Sequence, residues 1–210
     1  MFWNWDRCGV PFSLFSSIHI LSFFPFIIYW QHYENGKMSG HLKSLPIGSA
    51  IDFKHIGPNV KVQAPFQPKK IGMFVGGTGI TPMIQALHAI LGDASSDTEV
   101  SMLYGSRVAD DILGKEMLDS WTEKFKNRFS VTHVLSHEPK EGSVWEGERG
   151  FIDRDRIERL VPGPDGGEDV LLFVCGPPPM YNALCGPRDD KELSGVLAEM
   201  GYNKNQVFKF

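Results

Sequence analysis

A chain of 210 residues with 42% hydrophobic content is long enough to bury a core and to form one or two domains, which excludes a disordered scaffold. Its formal charge of -4 argues against nucleic acid as a partner, because the phosphate backbone selects clustered lysine and arginine. Three cysteines in an odd, unpaired arrangement support neither a disulfide framework nor a zinc site.

Residues 1–30 are predicted to stand apart from the domains that follow. Within them, residues 10–30 are uncharged and about as long as the ~20 apolar residues that a membrane helix needs. Pro11 and Pro25 interrupt this stretch. Three interpretations stay open: a membrane anchor, a segment foreign to the fold such as a misassigned exon, and a displaced strand.

Residues 31–68 are predicted to be the last part of an antiparallel β domain. The segment Gly48–Ile56 reads GSAIDFKHI, and its alternating pattern is typical of an antiparallel strand. Pro58, Pro65 and Pro68 follow and mark a linker to the next domain.

Residues 69–210 are predicted to form a doubly wound α/β domain with a parallel five-stranded sheet, because short β-rich apolar runs alternate with helical patterns. The predicted strands are Ile71–Val75, Val100–Tyr104, Phe129–Leu135, Val170–Val174 and Gln206–Phe210. The predicted helices are Thr81–Leu91, Leu113–Lys126, Asp153–Leu160, Pro178–Leu184 and Glu192–Met200. In the first helix we expect Thr81 as the N-cap and Pro82 at the first helical position.

The segment Gly76–Met83 reads GGTGITPM and lies between the first strand and the first helix. Gly76, Gly77 and Gly79 would let the backbone approach a pyrophosphate, and the N-terminus of the helix would favour its negative charge. The spacing departs from GxGxxG, so the motif by itself is also compatible with a tight glycine turn.

A second motif, CGPPPM at Cys175–Met180, ends the fourth strand. In a doubly wound sheet both loops lie at the carboxyl edge, near the crevice where ligands bind. Taken alone, Cys175 is also compatible with a small buried thiol at the end of a strand, and no pair of histidine and acid marks it as a nucleophile.

With GGTGITPM and CGPPPM, the sequence resembles the ferredoxin reductase superfamily and, more narrowly, the NADH-cytochrome b5 reductases. GKMS at Gly36–Ser39 is similar to the family's segment that contacts the FAD pyrophosphate, and DDIL at Asp110–Leu113 matches the start of its second helix. The chain ends in VFKF, with Phe208 and Phe210 where the family also ends in an aromatic residue.

This resemblance implies a flavoprotein that passes electrons from NADH through FAD to cytochrome b5 or a similar acidic haem protein. It implies Thr81 and Cys175 as catalytic residues and no metal ion. The implied cofactor-binding residues are Gly36, Lys37, Met38, Ser39, Gly76, Gly77, Thr78, Gly79, Thr81, Pro82, Ser136, Cys175, Gly176, Pro177, Pro178, Met180 and Phe210.

The charge of residues 31–70 bears on the partner. Six lysines against two acidic residues leave +4, which could steer an acidic electron acceptor or simply form a solvated face. Together with the apolar residues 10–30, the resemblance implies the cytosolic face of the mitochondrial outer membrane or of the endoplasmic reticulum.

Two departures from the family pattern keep alternatives open. The Arg-x-Tyr-Ser/Thr segment that the family carries upstream of GKMS is absent, so the flavin domain resembles one truncated at its N-terminus. Ser136 stands where the family often has an aspartate that accepts from the adenosine ribose, so NADH is expected and NADPH is the alternative. A nucleotide-binding module without turnover and a soluble reductase of flavin or small acceptors are the rival functions.

Overall fold

The computed structural model describes residues 34–52, 66–138 and 145–210. The chain divides into two compact units, residues 1–63 and 64–210. The three interpretations of residues 1–30 concern residues outside the described ranges, and the predicted domain boundary between residues 68 and 69 stays a prediction. Within the described ranges, no helix has the length and apolar character that crossing a membrane requires.

The described part of the first unit contains the helix α1, Lys37–Ser44, which the sequence pattern does not predict. Gly36 is its N-cap, so the GKMS motif forms the first helical turn. The predicted strand Gly48–Ile56 is wrong for residues 48–52, which form a turn and irregular chain. The reason is local, because Gly48 adopts φ +90 and the Ser49 N–H donates to the Pro46 carbonyl over 3.1 Å. Residues 53–56 lie outside the described ranges.

The second unit alternates strands and helices along the chain. Its strands are β1 (Lys70–Gly76), β2 (Glu99–Ser106), β3 (Phe129–Leu135), β4 (Glu148–Arg149), β5 (Val170–Cys175) and β6 (Val207–Lys209). Its helices are α2 (Ile80–Gly92), α3 (Lys115–Lys124), α4 (Arg154–Leu160), α5 (Pro178–Leu184) and α6 (Gly195–Glu199). Short 3-10 turns lie at Gly77–Gly79, Ala109–Asp111, Pro164–Asp169 and Lys204–Gln206.

All neighbouring strands are parallel, in the order β4-β3-β2-β1-β5-β6. The predicted α/β class is confirmed, whereas the predicted five strands are wrong by one. The missed strand, β4, contains only two residues, Glu148 and Arg149, which pair with Val134 and Leu135. A charged dipeptide carries no apolar alternation, so only its pairing with β3 identifies it as a strand.

Helices cover both faces of the sheet. On one face, α4, α5 and α6 enclose a core whose members include Phe74, Leu103, Ile157, Val161, Leu172, Leu184 and Leu197. On the other face, α2 packs against β1 and α3 against β3. Tyr104 directly follows Leu103 in β2, so its side chain points to this second face.

Two predicted helices are shorter than their sequence patterns by several residues. The helix predicted at Leu113–Lys126 spans Lys115–Lys124, because Gly114 adopts φ +69 as its N-cap. The helix predicted at Glu192–Met200 begins only at Gly195. The preceding loop is held in another conformation by Lys209, whose ammonium group donates to three loop carbonyls at 3.0, 3.1 and 3.2 Å.

Arg156 of α4 fastens β4 to the domain. Its guanidinium donates to the Glu148 carboxylate over 3.1 Å and to the Arg149 carbonyl over 2.8 Å, and it also pairs with Asp153. Its side chain is only 15% exposed, so the bonds to Glu148 and Arg149 are shielded from water, whereas Asp153 is half exposed. The two-residue strand is therefore held by a side chain as well as by its ladder.

We expect the substitution Arg156→Met to lower the free energy of unfolding by roughly 1–3 kcal/mol, because it leaves shielded acceptors without a donor. The matched control is Arg154→Met on the same helix, whose pair with Glu158 is more than half exposed on both sides. The control should change stability by only about 0.5 kcal/mol. Urea unfolding measures both variants, and equal losses would contradict the role given to Arg156.

Candidate functional site

The strand order reverses beside β1. The chain proceeds outward from β1 through β2 and β3 to β4, and then continues on the other side of β1 with β5 and β6. Ligands of open α/β sheets bind outside the carboxyl ends of the strands at such a reversal. Both glycine motifs follow the two strands concerned, since Val75 lies opposite Cys175 in the register of β1 and β5.

The two motif loops touch each other through their glycines. A Cβ added to Gly79 would lie 2.1 Å from the Cys175 carbonyl oxygen, and one added to Gly76 would lie 2.6 Å from Pro177 Cδ. Gly176 is equally confined, because its added Cβ would lie 2.6 Å from the Met180 sulfur. These glycines therefore permit contact between two loops about a hundred residues apart, a role that the sequence pattern does not reveal.

Gly77 differs from its neighbours. It adopts φ +53, and a Cβ added there would meet nothing within 4 Å. Of the three glycines in the first motif, it is thus the one beside open space, where a ligand could approach the backbone. Thr78 follows it in a 3-10 turn that ends at Gly79.

Helix α2 begins at Ile80, with Gly79 as its N-cap. The predicted N-cap role of Thr81 is therefore wrong. The 3-10 turn starts the helix earlier, so Thr81 lies in the first turn and its hydroxyl donates to the Thr78 carbonyl over 3.2 Å. The predicted place of Pro82 at the first helical position is also wrong: Pro82 is the third helical residue, still among the first four positions whose N–H groups have no partner within the helix.

Among the described residues no side chain caps α2; its first N–H group, that of Ile80, donates to the Gly77 carbonyl of the preceding 3-10 turn, so the turn leads directly into the helix. A helix of 13 residues that begins this way presents N–H groups and the positive end of its dipole at the carboxyl edge. An anionic group such as a phosphate fits this end, because it would supply the acceptors that a cap otherwise provides.

The second motif leads into helix α5. Pro177 is the N-cap and Pro178 is the first helical residue, as the sequence predicts for the start of this helix. Cys175 is partly buried at the end of β5, and Met180 packs its sulfur against the glycines of both loops. The motif therefore forms a compact wall of the crevice.

Tyr181 is a residue of this wall that the sequence does not single out. Its hydroxyl is 2.7 Å from a main-chain oxygen of Phe210 and 3.1 Å from the Val174 carbonyl, and burial raises its pKa well above the ordinary value. The Phe210 N–H in turn donates to the Val174 carbonyl over 3.0 Å. Phe210 is thereby fixed beside β5, and its ring packs against Phe173 with 5.4 Å between ring centres.

The carboxyl ends of β2 and β3 carry a group of polar residues. The Ser136 N–H donates to the Ser106 carbonyl over 3.0 Å, and the His137 N–H donates to the Arg107 carbonyl over 2.8 Å. The Ser136 hydroxyl lies 2.7 Å from His137 Nδ1. The structure therefore places Ser136 at the carboxyl edge, beside a histidine and an exposed arginine.

Two further residues at this edge have no signal in the sequence. Glu138 accepts from the Ala109 N–H over 2.9 Å, which joins the loops after β2 and β3. Phe151 follows β4 and is 73% exposed, an unusual setting for a large apolar ring. Neither belongs to a recognisable motif, so only the parallel strand ends identify them as residues of this edge.

The residues predicted for the flavin lie in the other unit, where Gly36, Lys37, Met38 and Ser39 form the start of α1. The N-cap residue Gly36 has no side chain to cap this helix, and the Ser39 hydroxyl donates to the Gly36 carbonyl over 3.3 Å. Lys37 and the positive end of the α1 dipole suit an anionic group. Among the described residues, no group of three or more histidine, cysteine, aspartate or glutamate side chains could hold a metal ion.

Comparison with known proteins gives one family-model match, to the oxidoreductase NAD-binding domain, over residues 73–186. NADH-cytochrome b5 reductase 2 of Meyerozyma guilliermondii is 40% identical over 205 residues, which cover 95% of this chain and 67% of that protein. The protein of the same name from Scheffersomyces stipitis is 42% identical over 185 residues, covering 86% of this chain and 60% of that protein.

Solved structures agree with this similarity. The cytochrome b5 reductase domain of Ulva prolifera nitrate reductase has a TM-score of 0.64 at 28% identity, covering 83% of this chain and 66% of that one. The CS-b5R domains of human Ncb5or in the NAD+ form have a TM-score of 0.65 at 27% identity, covering 85% of this chain and 47% of that one. The chain thus spans about 60 to 67% of the length of the two curated relatives named above.

Proposed function

Because this chain belongs to the NADH-cytochrome b5 reductase family, we propose that it passes electrons from NADH through FAD to cytochrome b5 or a similar acidic haem protein. One observation carries the proposal for the nucleotide. The two glycine loops touch at the strand reversal, and there Gly77 borders open space next to the uncapped N-terminus of α2. A pyrophosphate between two nucleosides matches this arrangement of donors.

The residues of each unit have a separate task in this proposal. The first turn of α2 and the backbone at Gly77 and Thr78 bind the pyrophosphate of NADH. Cys175 to Pro178 form the wall against which the nicotinamide is oriented, and Gly36 to Ser39 bind the flavin phosphates. Together the nicotinamide and the flavin supply the redox chemistry, while the protein orients them and excludes water.

In this proposal, residues at the carboxyl ends of β2 and β3 determine the preference between NADH and NADPH. Glu138 places a carboxylate there, which disfavours an additional phosphate on the adenosine ribose, whereas Arg107 at the end of β2 favours one. We propose NADH as the working donor, in agreement with the relatives' names. The comparison with NADPH is a direct measure of the balance between these two charges.

The experiment uses the full chain purified with excess FAD. We expect bound flavin that NADH reduces under anaerobic conditions, followed by reduction of added cytochrome b5, with NADPH less efficient in kcat/KM. A chain that binds ADP-ribose but retains no flavin would instead be a nucleotide-binding module. Reduction of ferricyanide or free flavin without reduction of the haem protein would point to a reductase of small acceptors.

A further inference from the structure

The Tyr104 hydroxyl connects two loops at the carboxyl edge of the sheet. The Tyr104 side chain is fully buried in β2, and its hydroxyl donates to the Gly77 carbonyl over 3.1 Å. The same hydroxyl oxygen accepts from the Leu113 N–H over 3.2 Å, just before α3 begins. One hydroxyl group thus joins the glycine loop after β1 to the segment that leads into the next helix.

The bond to Gly77 determines which way a peptide group faces. The Gly77 carbonyl also accepts from the Ile80 N–H at the start of α2, so two donors hold it on the inner side of the loop. In a trans peptide the carbonyl and the following N–H point in opposite directions. The Thr78 N–H therefore points away from Tyr104.

The hydrogen bond from Tyr104 matters because the backbone of Gly77 is conformationally free. Its φ of +53 is one of several conformations open to glycine, and no neighbouring atom within 4 Å of an added Cβ would confine it. Rotation of the Gly77–Thr78 peptide would turn a carbonyl, instead of an N–H, toward a bound anion. A carbonyl oxygen facing a phosphate repels it, so the orientation of this one peptide matters for binding.

We propose that Tyr104 is a positioning residue for the pyrophosphate: it anchors the Gly77 carbonyl inward and thereby aims the Thr78 N–H at the nucleotide. The proposal rests on the proposed nucleotide-binding function and adds a residue that does not itself touch the ligand. The Tyr104 ring packs against His133, whose ring centre lies 5.6 Å away, and this contact helps to fix the position of the hydroxyl.

The test compares two conservative variants of the full chain, Tyr104→Phe and Tyr202→Phe. Tyr202 is a matched control, since it is also buried and its hydroxyl donates to a backbone carbonyl, that of Pro162, over 2.6 Å. Affinity for ADP-ribose is measured by calorimetry and affinity for adenosine, which has no phosphate, by ligand-observed NMR. Circular dichroism melts report the stability that each variant loses.

We expect Tyr104→Phe to weaken ADP-ribose binding about tenfold, with adenosine binding unchanged and with no effect of Tyr202→Phe on either ligand. Wild-type affinity in Tyr104→Phe, equal losses in both variants, or an equal loss for adenosine would overturn the proposal. A wild-type chain that fails to bind ADP-ribose would overturn the proposed function itself, and with it this inference.

A second measurement, made on the wild-type chain, tests the proposal even if Tyr104→Phe does not fold. In the 15N NMR spectrum of the wild-type chain, ADP-ribose should shift the Thr78 amide signal strongly, whereas adenosine should leave it in place. The proposal would be overturned if ADP-ribose shifted the amide signals of α2 and left the Thr78 amide signal unchanged.

Discussion

Replacing Gly79 with alanine is expected to lower the free energy of unfolding by about 3 kcal/mol and to weaken ADP-ribose binding by roughly tenfold to hundredfold. The added Cβ would lie 2.1 Å from the Cys175 carbonyl oxygen and 2.6 Å from its carbonyl carbon. These are backbone atoms at the end of β5, which cannot move aside as a flexible side chain could. The two loops must therefore separate, and the first turn of α2 moves with them.

Gly92→Ala is the matched control for this prediction, because Gly92 is the last residue of the same helix and has nothing within 4 Å of an added Cβ. Alanine at a helical position is expected to be neutral or to stabilise by up to about 1 kcal/mol. Urea unfolding and calorimetry with ADP-ribose measure both variants. If Gly79→Ala binds ADP-ribose and unfolds like Gly92→Ala, the contact between the two loops is not needed for stability or for nucleotide binding.

Stability is expected to fall by about 2 kcal/mol between pH 7 and pH 5, and by about 3 kcal/mol by pH 4, through the protonation of His133 alone. The side chain is 9% exposed, and within the described residues neither ring nitrogen has a hydrogen-bond partner. Burial lowers its pKa to about 4 from an ordinary value of 6.5. Asp119 opposes this shift and Lys115 adds to it.

Stability falls as the pH falls because the unfolded chain binds a proton at His133 more readily than the folded chain does. The unfolded chain takes up a proton as the pH falls through 6.5, whereas the folded chain resists it until about 4. Stability from the neutral ring is therefore complete above about pH 6.5 and is lost progressively between these two values. The loss matters for function because His133 packs against Tyr104, the residue that holds the Gly77 carbonyl.

The variant His133→Leu isolates this contribution, since leucine fills a similar volume and cannot be protonated. Urea unfolding of both proteins at several values between pH 7 and pH 4 should show a much flatter profile for the variant. A smaller slope remains in the variant near pH 4. Arg159 and Arg156 lower the pKa of Glu148, and their ion pairs with Glu148 weaken as its carboxylate is protonated. Ser130→Ala, at an exposed position on the same strand as His133, should retain the wild-type slope. Parallel profiles for wild type and His133→Leu would contradict the assignment.

Local pattern was sufficient for the parts of this protein whose signal lies within a few neighbouring residues. The strand Phe129–Leu135 and the helix Pro178–Leu184 have the predicted bounds, and both glycine motifs lie at strand ends as expected. Apolar runs and turn residues report the local backbone directly, so the α/β class and the family could be inferred from the sequence alone.

Tertiary structure decided the features that depend on residues far apart in the chain. The two-residue strand β4 exists through its pairing with β3 and its bonds to Arg156. Gly76 and Gly79 are confined by a loop about a hundred residues later, and the hydroxyl of Tyr104 finds its partners in two separate loops. Such contacts follow from the register of β1 with β2 and β5, which no single stretch of sequence encodes.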